Sequence, residues 1–353
     1  MMNLRPYQSK LIADIRLQYQ LGKRSVLAVL STGGGKTICF SHIAQAAAKK
    51  GNRVLIAVHR AELLDQAIRS LPMPHGVIAA NRSMDLSHAV QVASIQTLAR
   101  RLHKLPRDFF QLLIIDEAHH SCAGQWSQTL QHFHQAHLLG VTATPCRLDG
   151  QGLGEWYQSM VQGPSGQWLT DNGYLARARV LAPPGFSSDG IKRRMGDFDV
   201  REAEHRVGTI MGDCLGHYRK HLNGQTAIAF CCSVAHAEAV AALFMSNGVS
   251  AASIDGTMNA EQRRDLLQAL GTGRIKVLTS CALIGEGVDV PSVGGCILLR
   301  PTQSVSLHLQ MIGRCLRPSG SKVAVVLDHV GNTLRLGHHL EDRDWSCLLY
   351  TSD

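Results

Sequence analysis

Residues 26–37 read VLAVLSTGGGKT and residues 38–50 read ICFSHIAQAAAKK. An apolar, β-forming run leads straight into three glycines, a lysine and a threonine, and a helical period follows without a break. Gly33, Gly34 and Gly35 let the backbone curl with its N–H groups pointing inward, and the start of the next helix adds positive potential at the same place. A merely flexible glycine turn would not need the lysine and threonine that close it. The stretch reads as a phosphate-binding loop, with Lys36 reaching the β and γ phosphates of a nucleotide and the Thr37 hydroxyl on Mg²⁺. Leu30 stands where the general G-x-x-x-x-G-K-[ST] pattern has its first glycine.

Outward from this loop, short apolar runs alternate with longer helical patterns: VLAVL, RVLIAV, GVIAA, VQVAS, LLIID and LLGVT between residues 26 and 142. Such alternation predicts a parallel sheet covered by helices on both faces. Residues 146–173 are rich in glycine and read as loop and connector. Alternation resumes in TAIAF, VSAASID, IKVLTS, GCILLR and VAVVLD, which predicts a second α/β domain. The polar residues 184–206, with the basic cluster Lys192, Arg193 and Arg194, read as a solvated surface segment.

LLIIDEAH at residues 112–119 places two carboxylates at the end of an apolar strand, where a parallel sheet faces its ligand crevice. Asp116 is expected to hold Mg²⁺ through its water shell, and Glu117 to orient and deprotonate an attacking water. His119 and His120 have no neighbouring ligand partner, so His119 reads as a link from this site to adjoining loops rather than as a metal ligand.

The chain has 353 residues, 45% of them hydrophobic, which suits two cores of ordinary size. Its 36 Lys and Arg exceed its 27 Asp and Glu, a formal charge of +9 that favours a polyanionic partner. The ten cysteines form no C-x-x-C pair and read as free thiols of a reducing, cytoplasmic setting. No signal peptide and no membrane span is expected.

STGGGKT, DEAH, TATP at 142–145 and QMIGRCLR at 310–317 resemble motifs I, II, III and VI of superfamily 2 helicases, in the family's order. LRPYQ at 4–8 resembles the adenine-recognition motif, HRAELLDQA at 59–67 motif Ia, and GEGVDVP at 285–291 motif V. Together with SIQTL at 94–98 and NGYLA at 172–176, these look like the RadD-like branch, near the helicase subunits of type I and III restriction enzymes. The resemblance implies two tandem RecA-like domains, each a parallel sheet flanked by helices, with the ATP site in the cleft between them. The implied division is residues 1–150 for the ATP-binding domain, 151–206 for a connector and the start of the second domain, 207–335 for the helicase C-terminal domain, and 336–353 for a tail.

Carried over motif by motif, ATP is implied to contact Arg5 and Gln8, beside Tyr7, and Ser31, Thr32, Gly33, Gly34, Gly35, Lys36 and Thr37. Gly287 and Asp289 are implied to contact the nucleotide from the second domain. Gln310, Arg314 and Arg317 resemble the catalytic set of motif VI, with both arginines as fingers that act on cleft closure. Thr142 and Thr144, with His119, are implied to couple ATP to the nucleic-acid path. His59, Arg60, Ser94, Gln96 and Thr97 are the first-domain candidates for sequence-independent backbone contacts with nucleic acid. DNA is the expected strand, in repair, recombination or phage DNA metabolism; a restriction-system motor, an RNA helicase and a nucleotide-dependent binding switch stay open. The final CLLYTSD resembles translated adapter sequence, and RadD-like relatives continue into a cysteine-rich zinc module, so a partner-binding C-terminal region is expected to be missing.

Overall fold

The computed structural model describes residues 4–59, 61–80, 82–120, 124–146, 152–184, 186–194, 196–208, 211–281 and 293–345. The chain divides into two compact units, residues 1–165 with 343–353, and residues 166–342.

The first unit runs α1 (Pro6–Gln20), β1 (Ser25–Val29), α2 (Lys36–Lys49), β2 (Val54–Val58), α3 (Ala61–Ser70), β3 (Gly76–Ile78) and β4 (Val90–Ser94). It continues through α4 (Ile95–Arg101), β5 (Leu112–Asp116), α5 (Gln125–His132), β6 (His137–Thr142) and β7 (Ser159–Gln162). Its seven strands are parallel, in the order β3-β4-β2-β5-β6-β1-β7. Strands β2 and β5 are buried along their whole length, which is why they read as unbroken Val, Leu and Ile runs rather than alternating ones. Leu27, Leu55, Ile78, Leu113, Phe110 and Phe133 belong to one core cluster, joined from the end of the chain by Trp345. Because all seven strands run one way, their C-terminal ends share one edge, and the loops after β1, β5 and β6 meet there.

The second unit runs α6 (Gly166–Asp171), β8 (Arg177–Leu181), β9 (Arg193–Arg194), β10 (Asp197–Phe198), α7 (Val200–Val207), α8 (Met211–His221), β11 (Ala227–Phe230) and α9 (Val234–Ser246). It ends with β12 (Ala251–Ile254), α10 (Ala260–Gly271), β13 (Val277–Ser280), β14 (Gly295–Leu298), α11 (Val305–Gly313), β15 (Val323–Asp328) and α12 (Asn332–Leu336). Six strands form a parallel sheet ordered β12-β13-β11-β14-β15-β8, and β9 and β10 form a separate antiparallel hairpin. Serine and asparagine side chains start its helices: Ser233 for α9, Asn259 for α10 and Ser304 for α11.

The sheets bear out the expected tandem parallel architecture, but the boundary differs from 150/151. Residues 152–165 belong to the first unit, because β7 pairs with β1 as an edge strand. Four residues, SMVQ, are too short to show a period among the surrounding glycines. The segment 184–206 is likewise more than solvated surface, since it forms the β9–β10 hairpin and α7. Residues 337–342 belong to the second unit, and the expected artefactual end, residues 347–353, lies outside the described residues. The eight described cysteines are free thiols, six of them buried. No helix among the described residues is long and apolar enough to cross a membrane.

Candidate nucleotide site of the first unit

The glycine loop is braced from below and from behind. Gly33 and Gly35 have φ of +83° and +88°, a conformation that suits glycine, and Gly35 is the residue from which α2 starts. The Gly34 carbonyl accepts hydrogen bonds from the Tyr7 hydroxyl at 2.8 Å and from Gln8 Nε2 at 3.1 Å, while Gln8 Oε1 accepts from the Arg5 backbone at 3.0 Å. Gln8 is 1% exposed, so an amide expected to meet adenine is here a buried strut beneath the loop. A Cβ on Gly35 would stand 2.4 Å from Gln8 Nε2, and one on Gly34 would stand 2.8 Å from Leu30 Cγ. Leu30 is buried, and its backbone N–H donates to Thr142 O. The position where the general pattern has glycine therefore holds an apolar plug, and the space it needs is left by Gly34 and by Gly163, whose Cβ would meet Leu30 Cδ1 at 2.7 Å.

Asp116 ends β5 and Glu117 begins the turn after it at φ +53°, an uncommon conformation for a residue with a side chain. The Glu117 N–H donates to Asp116 Oδ1 at 3.0 Å. Both carboxylates are buried, at 7% and 8% exposure. Burial and the Glu117 charge push Asp116 up to about 7, against a smaller opposing pull from Lys36 and the Glu117 N–H. Two buried acids with one nearby lysine leave an excess of negative charge, and Glu117 Oε2 has no hydrogen-bond partner among the described residues. Thr32 Oγ1, on the loop itself, is also buried and without a partner among them.

Beyond Glu117 lies a buried relay. His119 Nδ1 is 3.5 Å from Glu117 Oε2 and 3.0 Å from Thr142 Oγ1. The Thr142 hydroxyl donates to Thr144 O at 3.0 Å and accepts from Thr144 N at 3.2 Å. With the hydroxyl's one proton committed to Thr144 O, the proton on the histidine contact must sit on His119 Nδ1. The three residues expected to couple the site to neighbouring loops are thus one hydrogen-bonded chain from β5 to β6.

The described strand-contact candidates, His59, Ser94, Gln96 and Thr97, gather at the same sheet edge. Val58 pairs with Ser94 across β2 and β4, and Gln96 Nε2 donates to His59 O at 2.7 Å. Ser94 also has a local duty, accepting from Thr97 N at 3.3 Å as the N-cap of α4 and donating to Thr97 Oγ1 at 3.1 Å. Arg60, Gly287 and Asp289 lie outside the described residues. In the second unit Gln310 is buried on α11, while Arg314 caps that helix and Arg317 follows it, both partly exposed. Among the described residues no group of three or more His, Cys, Asp or Glu is arranged to hold a metal by itself.

Sequence reasoning missed the loop's underpinning by Gln8 and an acid-amide network around Asp197, Thr302, Asp328 and Asn332. The one signal for the latter was Asp328 followed four residues later by Asn332 after a buried strand.

Residues 1–147 match the family model described as type III restriction enzyme, res subunit, and residues 209–319 match the helicase conserved C-terminal domain. A 51.5 kDa protein of a Lactococcus phage is 34% identical over 89% of this chain and 67% of its own length. The putative ATP-dependent helicase IRC3 of Saccharomyces cerevisiae is 30% identical over 93% of this chain and 51% of its own. This chain therefore spans between about half and two thirds of the length of these relatives. Among solved structures, a fragment of a putative HsdR subunit of a type I restriction enzyme from Vibrio vulnificus shares the fold with a TM-score of 0.74 at 21% identity. It covers 95% of this chain and 65% of that one.

Proposed function

The chain belongs to the superfamily 2 helicases, among the relatives of restriction-enzyme helicase subunits, and from that premise we propose that it is a nucleic-acid-dependent ATPase that moves along DNA. The observation that carries this is the convergence of the braced glycine loop, Lys36, Asp116 and Glu117 at one sheet edge, wired through His119 to Thr142 and Thr144. Loop N–H groups, Lys36 and the Thr32 hydroxyl, which has no partner among the described residues, suit a triphosphate, and the negative excess at Asp116, with the Thr37 hydroxyl, suits Mg²⁺. When bound, that ion neutralises charge developing on the transferred phosphoryl group. Asp116 holds its side of the site, and Glu117, whose Oε2 has no hydrogen bond among the described residues and only His119 Nδ1 at 3.5 Å, orients the attacking water and takes its proton. Gly287, Asp289, Arg314 and Arg317 complete the site from the second unit as the units close on ATP, with Gln310 positioning the phosphate or water and Arg5 on the adenine side, above the Gln8 strut.

His59, Arg60, Ser94, Gln96 and Thr97 grip the strand's backbone without reading sequence. ATP favours the closed state only through better contacts there, and hydrolysis releases it. A second reading, the motor portion of a restriction system, is favoured by the restriction-subunit family match over residues 1–147.

Displacement of streptavidin from the end of a biotinylated single-stranded DNA tests the motor. ATP-dependent displacement, absent with Lys36→Ala, is expected; ATP turnover without displacement would leave an ATPase that does not travel.

A further inference from the structure

The second unit carries an exposed arm whose base is bolted to the start of α11. Across the β9–β10 hairpin Arg194 pairs with Asp197 and Arg193 with Phe198. Facing residues of an antiparallel pair lie within reach of one another, so Asp197 is the natural ion partner of Arg194. Its carboxylate is engaged elsewhere. Asp197 Oδ2 accepts from Thr302 Oγ1 at 2.8 Å, and Oδ1 accepts from Gln303 N at 2.7 Å. Arg193 and Arg194 are left exposed, with no ion pair among the described residues, while Lys192 is tied by its backbone N–H and ammonium to Glu202 at 2.8 and 3.2 Å.

The loop that Asp197 holds is locked from its other side too. Thr302 N donates to Asn332 Oδ1 at 3.1 Å, and Asn332 Nδ2 donates to Arg300 O at 2.9 Å. The buried Asp328 carboxylate accepts from Asn332 N at 3.1 Å and Thr333 N at 2.6 Å. Thr302 Oγ1 in turn accepts from Ser304 N at 3.0 Å, and Ser304 is the N-cap of α11. Arg335 donates to Asn332 Oδ1 at 2.6 Å and lies over the Phe198 ring at 5.6 Å, closing the circuit back to the hairpin. Thr302, Asp328 and Asn332 are fully buried, so each bond lost here leaves a polar group without water to replace it.

We propose that the β9–β10 hairpin is a strand-sensing arm, in which Arg193 and Arg194 hold phosphates of the nucleic-acid strand and Asp197 ties the arm to the loop that aims α11. The inference rests on the reading of the previous subsection, since α11 leads into Arg314 and Arg317. Two unpaired guanidiniums match the bidentate geometry of a phosphodiester, and they carry no base information. Asp197, Thr302 and Asn332 are positioning residues: they touch no substrate, and they fix where the arginines following α11 stand. Strand engagement at the arm then bears on hydrolysis through one buried hydrogen-bonded path.

The test is the salt dependence of binding to a fluorescein-labelled oligo-dT, alongside steady-state ATP hydrolysis, on the full chain. Arg193→Ala with Arg194→Ala is expected to lower the salt slope by about 1.4, two phosphate contacts at about 0.7 each on a single strand. Lys at both positions restores it. Asp197→Asn is expected to leave oligo-dT affinity and the KM for ATP in place while kcat at saturating DNA falls on the order of tenfold, because a displaced catalytic group costs rate without costing binding. Thr302→Val follows Asp197→Asn, and Thr302→Ser, which keeps the hydroxyl, stays near the parent. An unaltered slope in the double alanine variant overturns the phosphate contact, and an unaltered kcat in Asp197→Asn overturns the tie to α11. Wild-type hydrolysis that ignores single-stranded DNA would instead sink the proposed function, and the two failures are told apart by that control.

Discussion

The first unit ends its central strand β5 in Asp116, a buried carboxylate that receives one backbone N–H, from Glu117; the second ends β15 in Asp328, a buried carboxylate that receives two, from Asn332 and Thr333. The same parallel-sheet architecture thus treats buried charge in two ways. At Asp116 the acid is crowded by a second one and pushed up to about 7, which leaves the edge poised for a cation and phosphates. At Asp328 the hydrogen bonds are made within the protein, and the result is a rigid seat for α11. One unit holds chemistry in reserve, and the other holds geometry.

The strongest challenge to that contrast is Arg317→Ala. An arginine finger is worth on the order of 10³ to 10⁵ in rate, so DNA-stimulated hydrolysis should nearly vanish while binding of a fluorescent ATP analogue persists. Weak binding of the analogue would mean that the second unit supplies affinity rather than aim. Glu117→Gln comes next, with an expected loss on the order of 10² to 10⁴ in kcat and a retained KM, as for removal of a general base. A small loss would deny Glu117 that role.

Asp116→Asn sharpens the comparison through stability. It should abolish hydrolysis and yet raise the melting temperature of the ligand-free protein by roughly 2–4 °C, since the amide relieves a buried like-charge contact. A lower melting temperature would show that the carboxylate is already well compensated.

The two units should also answer pH with opposite signs. Asp116 has its folded value raised from 3.8 to about 7, so the folded first unit binds more protons and loses stability as pH rises between those values. In the second unit burial drives His329 down to about 4 and His339 down to about 3 from 6.5. The folded state there binds fewer protons, so its stability is intact above 6.5 and declines as pH falls toward 4. Hydrogen exchange read by mass spectrometry, corrected for intrinsic rates, should show protection on going from pH 7 to 5 rising around β5 and falling around β15. Movement in one direction for both would break the contrast.

The smallest effect is expected at Ser94→Ala, where loss of the N-cap costs about 1 kcal/mol. If Ser94 also grips the strand, the salt slope of DNA binding falls with it; a stability change alone would leave Ser94 as a cap.

Much of this was legible in the sequence, for definite reasons. The buried strands of both sheets announced themselves as apolar runs, Lys36, Asp116, Glu117 and His119 were picked out because loop and strand-end chemistry is written in consecutive residues, and Thr142 and Thr144 came from the family resemblance alone. Strands β7 and β8 escaped because one is four residues and the other, RARVL, alternates charge at a sheet edge. The burial of Gln8 under Gly34 and the bond from Asp197 to Thr302 escaped for another reason. Each joins residues far apart in the chain, 26 and 105 positions, and no local pattern encodes such a meeting.

The central claim is that the edge holding Lys36, Asp116 and Glu117 is an ATPase governed by nucleic acid, and steady-state ATP hydrolysis with and without single-stranded DNA tests it most directly. The account predicts low turnover alone, marked stimulation by DNA that weakens as salt rises, and loss of both in Lys36→Ala. Hydrolysis indifferent to DNA, or undiminished in Lys36→Ala, would contradict it.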